Sequence, residues 1–280
     1  MRCSLGLAAV KGLMVEEWLG AAMAGYNSES LERRDEYAAL LCLPGEVLEQ
    51  VLLWGLQSLP DEILVGFDVD PEQLEHPELL ELFRGVDHRD ELFSGQGFVL
   101  GEATLVNRGD SFSVHHVPEE WVDDFMQKDR GPRGGRFQHW LHTHPNAVAI
   151  PSAADANASQ HTEGVDMILG VEFSPAGPLP WFEAVDGVRR KLSAADRDDR
   201  PSIPEQGWGA GSGRSSGWGR GRFRGRRDER VVLGRAPTGH LIHGLELISF
   251  HHSGLAINVI FVDAQGWPYG WEELLKSDPS

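Results

Sequence analysis

The chain has 280 residues, 41% of them hydrophobic, and a formal net charge of −18. That is enough apolar material for a core in one large domain or two smaller ones, and the acidity excludes a generic nucleic-acid binder, which needs clustered Lys and Arg. Two cysteines far apart in sequence, Cys3 and Cys42, exclude a disulfide framework and a Cys-based metal site, and no run of about 18 apolar residues is present to span a membrane.

A reducing, cytoplasmic setting is the expectation that follows. Met1 to Val15 is weakly apolar, but Lys11 interrupts it and no cleavage site follows, so a secretory leader is not expected. Val15 to Arg33 reads as a helix: Trp18, Leu19, Ala22 and Met23 recur at helical spacing, and Glu16 and Glu17 sit where the helix dipole favours acids. Tyr37 to Leu43 is an unbroken apolar run, read as a strand ending in a Pro44-Gly45 turn, with Glu46 to Trp54 as a second strand. Residues 56–96 are rich in Asp and Glu, with a helix-like stretch from Pro77 to Arg84, and read as a solvated acidic cover. Gly97 to Val106 is a strand candidate, and Ser111 to Val117 and Glu119 to Phe125 follow it. His115 and His116 are adjacent, so on a strand they face opposite sides and do not converge on a metal. Gln127 to Gly135 is a polar loop leading to a strand at Phe137 to Leu141.

The stretch that follows carries the chemistry. In Trp140-Leu141-His142-Thr143-His144-Pro145, the two histidines are two residues apart, so on a strand both imidazoles point to one side. His139 shares its parity with Leu141 instead. Pro145 stops the strand, having no amide proton to give. Ser152 then opens a helical run with Asp155 in its first turn. Two imidazoles and a carboxylate are three ligands for a divalent metal such as zinc, with a fourth position left for water, as in catalytic rather than structural zinc sites. Ser-x-x-Asp is equally a helix N-cap with an acidic third residue, and a single His-x-His is common in a chain with 12 histidines.

The joined pattern, His-x-His-Pro, six residues, then Ser-x-x-Asp, resembles the JAMM motif of the JAB/MPN metalloprotease family, archaeal members included. The resemblance covers roughly residues 12–193. It implies an α/β, cytidine-deaminase-like fold: a mixed, curved sheet flanked by helices with the metal at one edge. It implies Zn2+ held by His142, His144 and Asp155, with Ser152 hydrogen-bonding beside the reacting carbonyl. It also implies a glutamate as general acid/base, placed between an N-terminal helix and a short apolar strand. Glu36, ahead of Tyr37-Ala38-Ala39-Leu40-Leu41, fits that description. Glu91 and Glu102 stay open as rivals: Glu91 lies at a distance from His142 closer to the family's spacing, and Glu102 lies inside a strand candidate. On this reading 56–96 is an insertion. The implied activity is hydrolysis of peptide or isopeptide bonds, with conjugates of a ubiquitin-like protein as partners. A bacterial-type trimming of small sulfur-carrier proteins and a non-catalytic MPN scaffold are the alternatives.

After the motif, Val165 to Val171 is a buried strand candidate, and Pro180 to Val188 reads as a strand, an Asp-Gly turn and a return. Residues 194–229 change character: from 207 to 227 there are six arginines, Arg214 to Arg227, and no acids. Such a segment cannot bury enough apolar surface to fold alone. It reads as a Gly/Arg-rich flexible linker, with RNA contact through charge and stacking as the other use. Residues 230–276 form a C-terminal extension with strands at Leu245 to Phe250 and Leu255 to Val262 joined as a hairpin, then an aromatic cluster of Trp267, Tyr269 and Trp271. The sequence leaves open whether these strands complete the sheet or pack beside it.

Overall fold

In the computed structural model the described residues are 15–59, 61–70, 76–89, 92, 99–108, 137–174, 181–183, 189–191, 220–223 and 231–273. The first helix, α1 (Glu17–Glu32), forms as its spacing predicts and turns Leu19, Met23, Tyr26, Asn27 and Ser30 inward. The buried Asn27 is fully used. Its Nδ2 donates to the carbonyls of Phe261 and Tyr269 at 2.9 and 3.0 Å, and its Oδ1 accepts from the Phe261 amide at 3.0 Å. A buried amide satisfied three times over ties the helix to one backbone register. Ser30 adds a hydrogen bond to Asn258.

Strand β1 (Ala39–Pro44) is buried along its whole length. The next segment departs from expectation: Glu46 to Trp54 is not a strand but part of a helix, α2 (Gly45–Ser58). Leu48, Val51, Leu52, Gly55 and Leu56 form its buried stripe, a spacing of three and four residues that only a helix can turn to one side. Strand β2 (Ile63–Val69) follows, inside the segment expected to be an acidic insertion. Among the described residues that segment also holds a one-turn helix, α3 (Pro77–Leu80), whose Leu79 and Leu80 are buried. The edge strand is β3 (Leu100–Arg108).

Strand β4 (His139–Pro145) carries the two histidines and ends at the proline. It is followed by helix α4 (Ala153–Ser159) and the long buried strand β5 (Val165–Ser174). Strands β6 (Trp181–Glu183) and β7 (Arg189–Lys191) pair as the expected antiparallel return. Strand β8 (Arg220–Phe223) lies within the Gly/Arg-rich stretch, and β9 (Gly234–Arg235), β10 (Leu241–His251) and β11 (Ile257–Val262) complete the chain.

The main sheet runs β3-β2-β4-β5-β10-β8, with β9 also paired to β10. It is mixed: β4 and β5 are parallel, and its other pairs are antiparallel. Strand β2 is therefore not peripheral, since it separates β3 from the His-x-His strand. The C-terminal strands do not form a separate hairpin unit. Strand β10 lies along β5 from Leu241↔Ser174 to His251↔Val165, whereas β11 pairs in parallel with β1. The two meet across their turn at the bridge Phe250↔Ala256, where the His251 amide donates to the Leu255 carbonyl at 2.9 Å and the Ser249 hydroxyl donates to the Ile257 carbonyl. The result is a mixed α/β architecture in which a curved sheet is flanked by helices. Its largest core joins Leu19 and Met23 of α1, Leu48 and Leu52 of α2, and inward residues of the sheet such as Val65, Leu141 and Leu169. No helix among the described residues is long and apolar enough to cross a membrane.

Candidate metal centre

Register and pleat decide which side of the sheet does chemistry. On β4, Leu141 joins the main core under α2, so His142 and His144 face the other side. Trp140 shares that side and packs with Leu64, Val106 and Phe137. His139 stays on the core side as expected, accepting from the Val165 amide at 3.2 Å, and burial pushes its ring down to about 4.

The three expected ligands come together. Their ligand atoms lie within 4.8 Å of one another. The Nε2 atoms of His142 and His144 are 3.1 Å apart, His142 Nε2 is 3.3 Å from Asp155 Oδ1, and His144 Nε2 is 3.9 Å from Asp155 Oδ2. A tetrahedral zinc with bonds of about 2.0–2.1 Å separates its ligand atoms by roughly 3.3–3.4 Å. The observed spacings bracket that value, so the donor set fits a small divalent cation. The side chain of His142 is 2% exposed, that of His144 12% and that of Asp155 17%, so His142 is buried while the other two keep a little contact with solvent.

Two local devices prepare these donors. His144 Nδ1 lies 2.8 Å from the Val148 carbonyl. A carbonyl can only accept, so Nδ1 carries the proton and Nε2 is left with its lone pair towards the cluster. Asp155 divides its two oxygens between jobs. Oδ2 accepts from the Ser152 amide at 2.7 Å while the Asp155 amide donates to Ser152 Oγ at 3.2 Å, a complete capping box for α4. Oδ1 faces His142. Burial raises the Asp155 pKa, but the hydrogen bond and charge of His142 and the hydrogen bonds of Ser152 outweigh it and hold the carboxyl well below the usual carboxylate range. The structural and the ligand readings of Ser-x-x-Asp are thus both true of one carboxylate. Ser152 itself is exposed at the mouth of the cluster.

Glu36 is not part of this group. It sits in the turn before β1, whose partner β11 is on neither side of β4. Its carboxylate is bound by Arg33 at 3.1 and 2.6 Å and is 53% exposed, and that hydrogen bond lowers its pKa. Glu102 is exposed on β3, with β2 between it and β4. Glu91 lies outside the described residues, as do His115, His116, the strands expected between 111 and 125, the loop of 127–135 and the arginine-rich stretch apart from 220–223.

A glutamate near enough to feel the charge of Asp155 is Glu62. The β2–β4 register sets Leu64 against His142. One step further, the Ile63 amide donates to Thr143 Oγ1 at 3.1 Å. Continuing the register sets Glu62 against His144, on the same side of the sheet. Burial raises its pKa to about 8, and the charge of Asp155 adds to the rise. Sequence reasoning missed this residue although the signal was present. A helix, a glutamate and a short apolar strand is the rule that selected Glu36, and α2, Glu62 and β2 satisfy it equally. Taking α2 for a strand hid the match.

No family model matches this chain, and no curated protein matches it. Among solved structures it is similar to protein DSY2949 from Desulfitobacterium hafniense, at 20% identity and a TM-score of 0.26, over 54% of this chain and 89% of that one. At that level the similarity carries no argument about family or activity.

Proposed function

We propose that the protein is a zinc-dependent hydrolase of peptide or isopeptide bonds, of the JAB/MPN type, releasing a ubiquitin-like modifier from proteins. The observation that carries this reading is the convergence of His142 Nε2, His144 Nε2 and an Asp155 oxygen; the carboxyl of Glu62 is near enough to feel the Asp155 charge. Zinc bound there would supply a Lewis acid for the scissile carbonyl and lower the pKa of a bound water to about 7.

The chain's own residues supply the rest. Val148 fixes the His144 tautomer, and the α4 cap holds Asp155 in place. Glu62 replaces Glu36 as the general acid/base: a half-buried carboxyl with a raised pKa can take a proton from the attacking water and return it to the leaving amine. In the metal-free protein both burial and the Asp155 charge keep Glu62 protonated at neutral pH. With a cation bound at Asp155 the second cause would be cancelled and Glu62 would favour its basic form. The exposed Ser152 hydroxyl, whose oxygen already accepts from the Asp155 amide, keeps its proton free to donate to a developing oxyanion.

The test is zinc content and cleavage of a ubiquitin-like fusion by the wild type and by His142→Ala. Loss of both together supports the hydrolase. Retained cleavage in a protein that no longer holds zinc, or stoichiometric zinc with no cleavage of any ubiquitin-like or sulfur-carrier fusion, contradicts it.

A further inference from the structure

Glu246 lies on β10, far from the motif in sequence, and is only 4% exposed. A carboxylate is costly to bury without polar partners. One partner here is the Ala149 amide, which donates to Glu246 Oε2 at 3.2 Å. Ala149 is the residue after Val148, whose carbonyl takes the His144 Nδ1 proton.

The sheet explains how a residue on β10 reaches this loop. Glu246 is set against Gly170, and Gly170 against His144, so the three occupy one row on one side of the sheet. The middle position is a glycine, and the loop runs over it. A Cβ at 170 would lie 2.8 Å from the Ala147 carbonyl oxygen and 3.0 Å from the Ala149 nitrogen. The loop is also held at its start. Asn146, at φ 50°, donates its amide to the Val171 carbonyl at 2.8 Å and accepts from the Phe173 amide at 2.9 Å. Its far end has Glu246.

We infer that Glu246 is a positioning residue for the His144 ligand: its carboxylate holds the Ala149 amide and so keeps the Val148 carbonyl where it fixes His144 as the Nδ1–H tautomer. If the loop drifts, His144 is free to carry its proton on Nε2, the atom that faces His142, and that form cannot ligate. The inference rests on the metal reading of the cluster, but the tautomer can be read without metal.

The experiment uses the full chain as wild type, Glu246→Gln and Glu246→Asp, with melting curves to keep every measurement on folded protein. Zinc dissociation constants come from competition with a chromophoric chelator. The His144 tautomer comes from 15N spectra of the metal-free protein. Glutamine keeps an acceptor oxygen at the same reach, so binding should stay within about threefold of wild type; aspartate keeps the charge but falls one methylene short, so binding should weaken by about 10- to 100-fold. The His144 signals of the aspartate variant should also leave the Nδ1–H pattern. Wild-type behaviour of Glu246→Asp in both readouts would overturn the inference, as would Glu246→Gln losing as much as Glu246→Asp. A wild type that binds no zinc would overturn the metal reading instead, and the tautomer comparison would still judge the hold of Glu246 on the loop.

Discussion

The amide of Ile63 donates to the hydroxyl of Thr143 at 3.1 Å, and that bond couples the glutamate before Ile63 to the histidines on either side of Thr143. It brings a residue of the first third of the chain to a motif in its middle. The first consequence concerns catalysis. Glu62→Gln keeps the shape of the side chain and removes its ability to move a proton, and a general acid/base typically contributes about a hundred- to ten-thousand-fold. The expected outcome, read as the rate of cleavage of a ubiquitin-like fusion, is a loss in that range with zinc still bound. Glu36→Gln, which breaks an exposed pair with Arg33, should leave the rate within about twofold, since such pairs contribute little.

Thr143 is 1% exposed, so its hydroxyl is the acceptor on which the Ile63 amide depends there. Thr143→Val keeps the volume and strips the acceptor. A buried donor left unsatisfied costs about 1–3 kcal/mol. Urea unfolding of the metal-free protein should show a loss of that size, and zinc should bind more weakly as the start of β2 loosens.

A half-buried carboxyl and a buried imidazole set opposite pH dependences in the metal-free protein. Glu62 is raised from 4.5 to about 8, so across that interval the folded state holds a proton that the unfolded chain has lost. Stability from this group is full below 4.5 and drains as pH rises towards 8. His139 is lowered from 6.5 to about 4, so its contribution is full above 6.5 and is lost as pH falls towards 4. The two oppose each other below 6.5, and only Glu62 acts between 6.5 and 8. Unfolding free energies in chelator should therefore fall as pH rises through that upper window, by at most about 1.4 kcal/mol per pH unit from this group. Glu62→Gln should remove that slope and leave the acid limb in place.

Much of the site is written in local sequence. The alternation around His142 and His144, the proline that ends their strand and the Ser152–Asp155 spacing each act over a few residues, and each appears in the structure where the pattern puts it. Glu62, the acid/base residue of the proposal, was not legible because its placement depended on a neighbour's secondary structure. Val47-Leu48 and Val51-Leu52-Leu53-Trp54 look like strand material by composition, while the stripe of Leu48, Val51, Leu52 and Leu56 is helical by spacing. Composition misled where spacing was the sounder guide. With 46–54 read as a strand, β2 and Glu62 fall in the stretch 56–96 that reads as an insertion. The partners of β10 and β11 were not legible for a different reason. A parallel pairing of residues 39–44 with 257–262 leaves no short-range trace, since each strand shows only that it is buried. The hold of Glu246 on the Ala149 amide belongs to the same class, a contact between segments whose order in the chain says nothing of their distance.

Anomalous scattering at the zinc edge from crystals of zinc-loaded protein measures the central claim most directly. The expected result is a single strong peak about 2.0–2.2 Å from His142 Nε2, from His144 Nε2 and from a carboxylate oxygen of Asp155, with the remaining position held by solvent. The absence of any peak between those three side chains, or a fourth protein side chain closing the coordination, would contradict it.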